Sequence, residues 1–338
     1  MQGSTLPLIT AVIPTRWRAE LVVRAVCSVL AQTYPSIEVV VVVDGPDSVT
    51  VEALEGLEDS RVRVVALREN VGGSEARNVG VREARGKWVA MLDDDDEWLP
   101  EKLVKQMATM TETDVRHALV TCRRIERQPG HPDVLEPRRT YRVGEDVSEY
   151  MFYSEDRKKH TSGPQTSGYL ATRDLFLEVP FTKGLKCHQD WDWYLRAMRN
   201  SATVAVSMEE PLYIMHVEPV RPRVTSIARW ELSLDWVESR KHLFTERAYK
   251  SFLINECMYR CEETSKRTQI FRKLLARSWN SGGLQFRDLI AVAKWYLFRP
   301  SVRLRLVRLY KQMKISARFA SVSSNSMEHL PAKREVQG

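Results

Sequence analysis

Long apolar stretches are missing from this chain of 338 residues: nowhere do about 18 apolar residues follow one another, so no membrane-spanning helix is expected. The N-terminus is a polar stub that runs straight into an apolar strand, without the regions of a secretory signal, and the expected location is the cytoplasm. Cysteine is scarce. Cys27, Cys122, Cys187, Cys257 and Cys261 are odd in number and scattered, which excludes the disulfide framework of a small secreted domain and predicts free, mostly buried thiols. There is no helix-turn-helix, zinc-finger or RNA-platform signature either, so the net charge of +7 is not taken as nucleic-acid binding. The basic excess is a C-terminal feature: Arg299, Arg303, Arg305, Arg308, Lys311 and Lys314 come without one intervening acid, which points to an anionic membrane surface. No internal repeat is present.

What the chain does have is a composition of 43% hydrophobic and 28% charged residues, ordinary for a globular protein, and a regular alternation of patterns. Leu8 to Ile13 reads as a strand, and Ala19 to Ala31, apolar at 22, 26 and 29, as a helix. Ile37 to Val43 is nearly unbroken valine, the mark of a strand buried on both faces of a parallel sheet, and it stops at Asp44-Gly45-Pro46. Strands at 62–67 and 88–92 enclose a helix from Ser74 to Ala84. This alternation predicts a doubly wound α/β sheet, in which ligands sit beyond the carboxyl ends of the strands. Thr15, Asp44 and Asp93 to Asp96 all fall there. Further on, Glu101–Thr111 reads as a helix, Ala118–Cys122 as a strand, and 128–144 as a polar surface loop near the start of a second lobe. Tyr169–Thr172, Thr203–Val206 and Leu212–Met215 read as strands, Trp191–Met198 as a helix, and 229–314 as helical with breaks at Gly282-Gly283 and Pro300.

The sharpest local feature is Asp93-Asp94-Asp95-Asp96-Glu97, five acids behind a buried strand with no Lys or Arg beside them. Like charges so close are costly unless solvent or a cation screens them, and an all-oxygen ligand set suits Mg²⁺ or Mn²⁺. Taken alone, the run reads equally well as an exposed acidic loop capping the helix near Pro100.

The neighbourhood separates these readings. Ile13-Pro14-Thr15-Arg16, Ser28 to Tyr34, Val42-Val43-Asp44-Gly45, Asn70 to Gly80 and Leu92 to Asp96 resemble, in this order, successive segments of the family 2 glycosyltransferases. The resemblance runs from Leu8 to about Ser226. It implies the GT-A fold, a doubly wound, mostly parallel sheet flanked by helices, here with a helical C-terminal extension. It also implies a metal-dependent inverting transfer from a nucleotide-diphosphate sugar to an acceptor hydroxyl, in cell-surface polysaccharide or glycan biosynthesis. Carried over by position, Thr15 lines the uracil and ribose pocket and Asp44 accepts from the base, whose N–H a cytosine would lack. Arg77 stands near the donor. Asp93 and Asp95 match the two acids of the DXD motif, Asp95 on the metal and Asp93 toward the ribose, while Asp94 lies beside the donor or is a solvated neighbour. Two departures stand out: Arg16-Trp17-Arg18 in the first loop, and Val43-Asp44 where the family usually has two acids.

An acceptor hydroxyl near pH 7 needs a carboxylate base within hydrogen-bond reach. Cys187-His188-Gln189-Asp190-Trp191 resembles the family's Glu-Asp motif, with Gln189 in place of Glu, and the match makes Asp190 the catalytic base. An N-cap role for Asp190 is the plainer alternative. Gln189 and Trp191 become acceptor contacts, Asp192 serves the helix N-terminus, and His216 is a third metal ligand or a phosphate contact. Arg221 to Ser226 reads as a loop able to close on the diphosphate. Cys257 and Cys261, four apart, lack the partner pair of a zinc site and read as buried thiols.

The expected organisation is therefore a catalytic domain over 1–226, with a nucleotide-sugar half (1–112) and an acceptor half (113–226). A helical region follows over 227–316, then a disordered tail over 317–338. Val302, Leu306, Leu309 and Met313 form one apolar stripe among cations, which either lies on an anionic bilayer at the inner face of the plasma membrane or packs on the catalytic domain. The expected partners are the sugar donor, a glycan or lipid-linked acceptor and this anionic surface. A non-catalytic membrane-docking protein that keeps the fold is the competing function.

Overall fold

Valine-rich segments with no polar face can only be satisfied between two layers, and that is where they lie. The computed structural model describes residues 6–110, 115–154, 163–217, 230–261 and 267–297. Strands β1 (Ile9–Thr15) and β2 (Ile37–Val43) are buried almost throughout, and β3 (Val62–Ala66) and β4 (Trp88–Met91) complete a parallel block in the order β3-β2-β1-β4. Helices α1 (Ala19–Leu30), α2 (Ser48–Glu55) and α3 (Gly73–Glu83) are the connections. Gly80 lets α3 lie close on the sheet, because a Cβ there would collide with Val12 of β1.

The sheet continues past β4 with mixed polarity, giving nine strands among the described residues. Strand β5 (Asp96–Trp98) follows the acidic run, and α4 (Lys102–Ala108) is shorter than its expected span. Next come β6 (Ala118–Arg127), β7 (Val134–Glu136), α5 (Val147–Phe152), β8 (Leu170–Thr172), α6 (Arg173–Glu178), α7 (Gln189–Arg199) and β9 (Val204–His216). Strand β8 is antiparallel to β4 and β6, β9 runs parallel to β6, and β5 closes the far edge against β9. The two strands expected at 203–206 and 212–215 are thus one. A register irregularity opposite Cys122 to Arg124 takes up Pro211, the position at which a residue without an N–H is tolerated. The stretch 128–144, expected as loop, holds β7 paired to β6.

The C-terminal helices α8 (Trp230–Ser239), α9 (Glu246–Phe252), α10 (Arg267–Asn280) and α11 (Phe286–Leu297) pack on this body. One apolar cluster contains Tyr169, Trp193 and Phe152 together with Trp236, Phe252, Phe271 and Ala291. The described part of 227–316 therefore lies against the second half of the sheet domain. The stripe from Val302 to Met313, the tail 317–338 and the loop from Arg221 to Ser226 lie outside the described residues. Four of the five free cysteines are buried and Cys27 is exposed. No described helix is long and apolar enough to cross a membrane.

Candidate active site

The carboxyl ends of β1, β2 and β4 and the start of α7 surround a cleft of about 510 Å³, within the usual size range for small-molecule sites. Thr15, Asp44, Arg77, Asp93, Asp94, Asp95, Gln189, Asp190 and His216 all line it. Two acidic groups nearly a hundred positions apart, Asp95 and Asp190, thus open onto one space.

Asp44 is buried at the end of β2, and its two oxygens accept from the backbone N–H groups of Val71 (2.7 Å) and Gly72 (3.0 Å). Gly72 has a φ of 85°, which a side chain would strain, and this turn starts α3 with its N–H groups turned to the carboxylate. Arg77, on the first turns of α3, donates to Asp93 (2.5 Å) and to the Gln189 side chain (3.0 Å). One guanidinium thereby ties the acidic run to the Gln-Asp segment of α7. Both ends of its fork are used, a geometry that a lysine lacks.

The acids behind β4 are not one solvated loop. Asp93 and Asp95 keep about a third of their side chains exposed (33% and 34%), whereas Asp94 is 8% exposed. Asp94 accepts from Thr15 (2.8 Å) and pairs with Arg18 (2.7 Å), which also reaches Asp95 at 3.3 Å. Burial pushes the Asp94 carboxyl up to about 6 against the pull of Arg18, and Asp95 adds to the rise. The expectation of a solvated Asp94 is corrected accordingly. Asp96 is buried as well and accepts from Ser167 (2.6 Å), whose oxygen also receives the Asp93 N–H. Neutralising cations that are absent next to the run in sequence arrive from Arg18, at the cap of α1, and from Arg77 of α3.

His216, at the end of β9, lies with Nε2 2.6 Å from Glu97, which also pairs with Arg24 at 3.1 Å. Among the described residues no three His, Cys, Asp or Glu side chains form a group able to hold a metal. The expected set of Asp93, Asp95 and His216 is therefore not assembled: Asp93 pairs with Arg77, Asp95 with Arg18 and His216 with Glu97.

Helix α7 begins at Gln189, after His188 in a left-handed conformation (φ 58°), so Asp190 sits in the first turn and is not the cap. Its carboxyl is half-buried in the cleft wall. Burial raises it above the ordinary carboxylate range and Asp93 adds to the rise, while the Trp191 N–H and Arg77 oppose. Gln189 accepts from Arg77 and donates to the Leu185 carbonyl, so its amide is fixed. Trp191 does not line the cleft. It stacks on His188 (4.6 Å, 8°) and meets Phe152 edge-on, inside the aromatic cluster under α8. Asp192, expected to serve the helix N-terminus, is wholly buried and binds Thr182, Arg196, Arg240 and the Trp236 indole. Sequence reasoning missed Arg18 and Ser167 as parts of the site. For Arg18 a signal existed, the basic Arg16-Trp17-Arg18 following β1; for Ser167 there was none.

Residues 10–174 match the family described as Glycosyl transferase family 2. A succinoglycan biosynthesis protein of Rhizobium meliloti, ExoO, is 42% identical over 98 residues, 29% of this chain and 28% of the relative. The putative teichuronic acid biosynthesis glycosyltransferase TuaG of Bacillus subtilis is 38% identical over 31% of this chain and 43% of its own length. The putative colanic acid biosynthesis glycosyltransferase WcaA of Escherichia coli is 31% identical over 65% of this chain and 76% of the relative. The chain thus spans less than half of the first two relatives and about three quarters of the third. Among solved structures, the mannosyltransferase PcManGT of Pyrobaculum calidifontis, in complex with GDP-Man and Mn²⁺, superposes with a TM-score of 0.54 at 15% identity, covering 89% of this chain and 83% of that one. TarS 1-349 of S. aureus gives a TM-score of 0.51 at 16% identity, covering 85% and 80%. At these identities the likeness is one of fold, and the fold is GT-A. The coverage of WcaA, together with the family match through the cleft-forming half, carries the assignment: this chain belongs to the family 2 glycosyltransferases.

Proposed function

We propose that the chain is an inverting transferase that moves a sugar from a nucleotide-diphosphate sugar, UDP-linked, to a hydroxyl of a glycan or lipid-linked acceptor in polysaccharide biosynthesis. The observation that carries this reading is the shared cleft: Asp190 faces the same space as Asp93 and Asp95, and Arg77 spans the two. The names of the relatives, which concern succinoglycan, teichuronic acid and colanic acid, favour a cell-surface polysaccharide as product.

Asp190 takes the proton of the acceptor hydroxyl, and its raised carboxyl makes it a better base than a solvated aspartate. The acceptor oxygen then forms its bond to the anomeric carbon as the bond to the diphosphate breaks, in a single displacement that inverts the centre. Asp44, fixed by two backbone N–H groups, keeps lone pairs for the uracil N–H, and Thr15 lies at the edge of the same pocket. Arg77 and Arg18 set the positions of Asp93 and Asp95.

The residues fit a divalent ion without a preformed cage, because Mg²⁺ commonly binds through one or two carboxylates plus substrate phosphates. Asp93 and Asp95 are the two acids of the run that keep cleft exposure, with Asp95 the direct ligand and Asp93 toward the ribose. When bound, Mg²⁺ or Mn²⁺ would stabilise the charge of the leaving diphosphate. His216, engaged with Glu97, is on this reading a contact of the diphosphate and not a ligand of the ion. Acceptor recognition falls to Gln189 and the surface around it, with Trp191 supporting from behind.

The test is a panel of UDP- and GDP-sugars, with and without Mn²⁺, read by thermal shift on wild type, Asp95→Ala and Asp190→Asn. UDP-sugars are expected to stabilise the wild type with Mn²⁺ and to lose that effect in Asp95→Ala. Asp190→Asn is expected to bind as wild type while its transfer rate falls by roughly 10²–10⁴. Undiminished transfer by Asp190→Asn would remove that residue from the mechanism, and a preference for GDP-sugars would overturn the role given to Asp44.

A further inference from the structure

Most polar side chains around the cleft spend their hydrogen bonds inside the protein: Thr15 on Asp94, Asp44 on the Val71 and Gly72 N–H groups, Gln189 on Arg77 and Leu185. Gln165 and Thr166 line the same cleft and do not. Neither the Gln165 amide nor the Thr166 hydroxyl has a partner among the described residues. Thr166 is only 4% exposed, and a polar group so placed costs free energy unless a ligand completes it. Asn70 also lacks a side-chain partner, but it is exposed and lies beside Gly45, at the nucleotide end next to Asp44.

The place of Gln165 and Thr166 in the fold selects what they meet. One residue before them, the Pro164 carbonyl lies 3.2 Å from the Tyr169 hydroxyl, which also reaches the Asp190 carbonyl at 3.3 Å. One residue after them, Ser167 Oγ accepts from the Asp93 N–H (3.1 Å) and donates to Asp96 (2.6 Å), while the Trp98 indole donates to the Ser167 carbonyl (3.0 Å). The pair is thus strung between the residue assigned as base and the acidic run. Gly168 leaves the stretch little slack: a Cβ there would stand 3.1 Å from the Tyr213 ring, and its carbonyl accepts from Gln106 at 3.0 Å. In the proposed transfer, the interval between base and acidic run holds the sugar that moves, because its anomeric carbon lies between the attacking hydroxyl and the diphosphate. An amide and a hydroxyl both donate and accept without carrying charge, which suits sugar hydroxyls and gives a phosphate no counter-ion. Held by a rigid stretch, they offer these partners in fixed positions.

We infer that Gln165 and Thr166 bind the ring hydroxyls of the transferred sugar and so choose among nucleotide sugars that share one base. The inference rests on the transfer reading for what fills the interval, and the experiment keeps the two apart. Calorimetry in the presence of Mn²⁺ compares UDP, UDP-glucose, UDP-galactose and UDP-N-acetylglucosamine on wild type, Gln165→Ala, Thr166→Val and Thr166→Ser. Wild type is expected to prefer one of these sugars over the others. Gln165→Ala and Thr166→Val should each weaken binding of the preferred sugar by roughly three- to ten-fold, the loss of one neutral hydrogen bond, and narrow the preference, with the affinity for UDP unchanged. Thr166→Ser keeps the hydroxyl and should keep the preference. Circular dichroism and thermal unfolding accompany each variant, and since the two positions are tested separately, one folded variant decides. No acceptor is present, so a contact made only with acceptor hydroxyls would leave every donor affinity unchanged and count against the inference. Equal losses for UDP and the UDP-sugars, or equal binding of all three sugars by wild type, would overturn it while the transfer reading stands. A folded wild type that binds neither UDP nor any UDP-sugar would sink the transfer reading, and the inference with it.

Discussion

Asp192→Asn is expected to destabilise the protein by about 2–3 kcal/mol at pH 7, and the number follows from what surrounds that carboxylate. Its side chain is fully buried and accepts from Thr182 (2.6 Å), Arg240 (2.7 Å), Arg196 (2.9 Å) and the Trp236 indole (3.2 Å). Breaking a buried ion pair costs roughly 3–5 kcal/mol, because the remaining charge is left uncompensated. Here both arginines keep about a fifth of their side chains in water (22% and 20%), so they rehydrate in part and the cost falls toward the lower figure. For a chain of this size the loss corresponds to a drop in Tm of roughly 3–4 °C.

The pH dependence gives a sharper check. Burial alone would raise the Asp192 carboxyl, but the Thr182 hydroxyl and the two arginines outweigh it and hold the group below its ordinary value. A carboxylate lowered by folding contributes stability that is present above the unfolded pKa and is lost as pH falls through the folded one. Urea unfolding of wild type and Asp192→Asn should therefore differ fully at pH 7 and converge toward pH 3. A difference that stays constant over this range, or that is under about 0.5 kcal/mol at pH 7, would refute the assignment. Arg240 joins α8 to α7 through this group, so a double-mutant cycle of Asp192→Asn with Arg240→Ala should give a coupling of about 1 kcal/mol or more. Asp190 lies two residues before Asp192 on the same helix, so in Asp192→Asn the transfer rate should fall with donor binding retained.

Other outcomes follow from the same reasoning. The acid limb of kcat/KM should lie above the ordinary carboxylate range, because transfer needs Asp190 deprotonated and folding raises it; a limb near pH 4 would count against Asp190 as base. Lys102 is wholly buried, and burial lowers its ammonium to about 8. Its charge at pH 7 thus costs up to about 3 kcal/mol, offset in part by the Trp98 ring 4.2 Å away. Lys102→Met should accordingly stabilise the fold by about 1–2 kcal/mol at pH 7. That gain should vanish by pH 10 in chemical unfolding, since the folded wild type sheds the proton that the unfolded chain still holds and so gains stability as pH rises from 8. Gly80→Ala should destabilise by about 1–3 kcal/mol through its collision with Val12, measurable as a lower urea midpoint with an unchanged slope.

Much of the fold was legible because burial on both faces leaves few residue choices: the valines of β2 and the apolar face of α1 announce their own layers. The join at Pro211 was not, since a proline reads as a strand end and only pairing with β6 carries the strand past it. At the site, Thr15, Asp44 and the acidic run were visible as polar residues at strand ends, where the topology of the sheet gathers them. Their electrostatics were not visible. The run from Asp93 to Glu97 has no cation beside it in the chain, yet Arg18 reaches Asp94 across 76 positions and Arg77 reaches Asp93 across 16. Self-repulsion was therefore a sound premise with an incomplete consequence, because the fold answers it twice. Arg18 pairs with the buried member, Asp94. Arg77 and Arg18 then pair with the two members that keep cleft exposure, Asp93 and Asp95. A diphosphate arriving with a divalent ion would complete the charge balance there, whereas either one alone would leave it in deficit or excess. Donor and cation should for that reason bind more tightly together than the product of their separate affinities, and calorimetry of each in the presence and absence of the other would expose an independent pair.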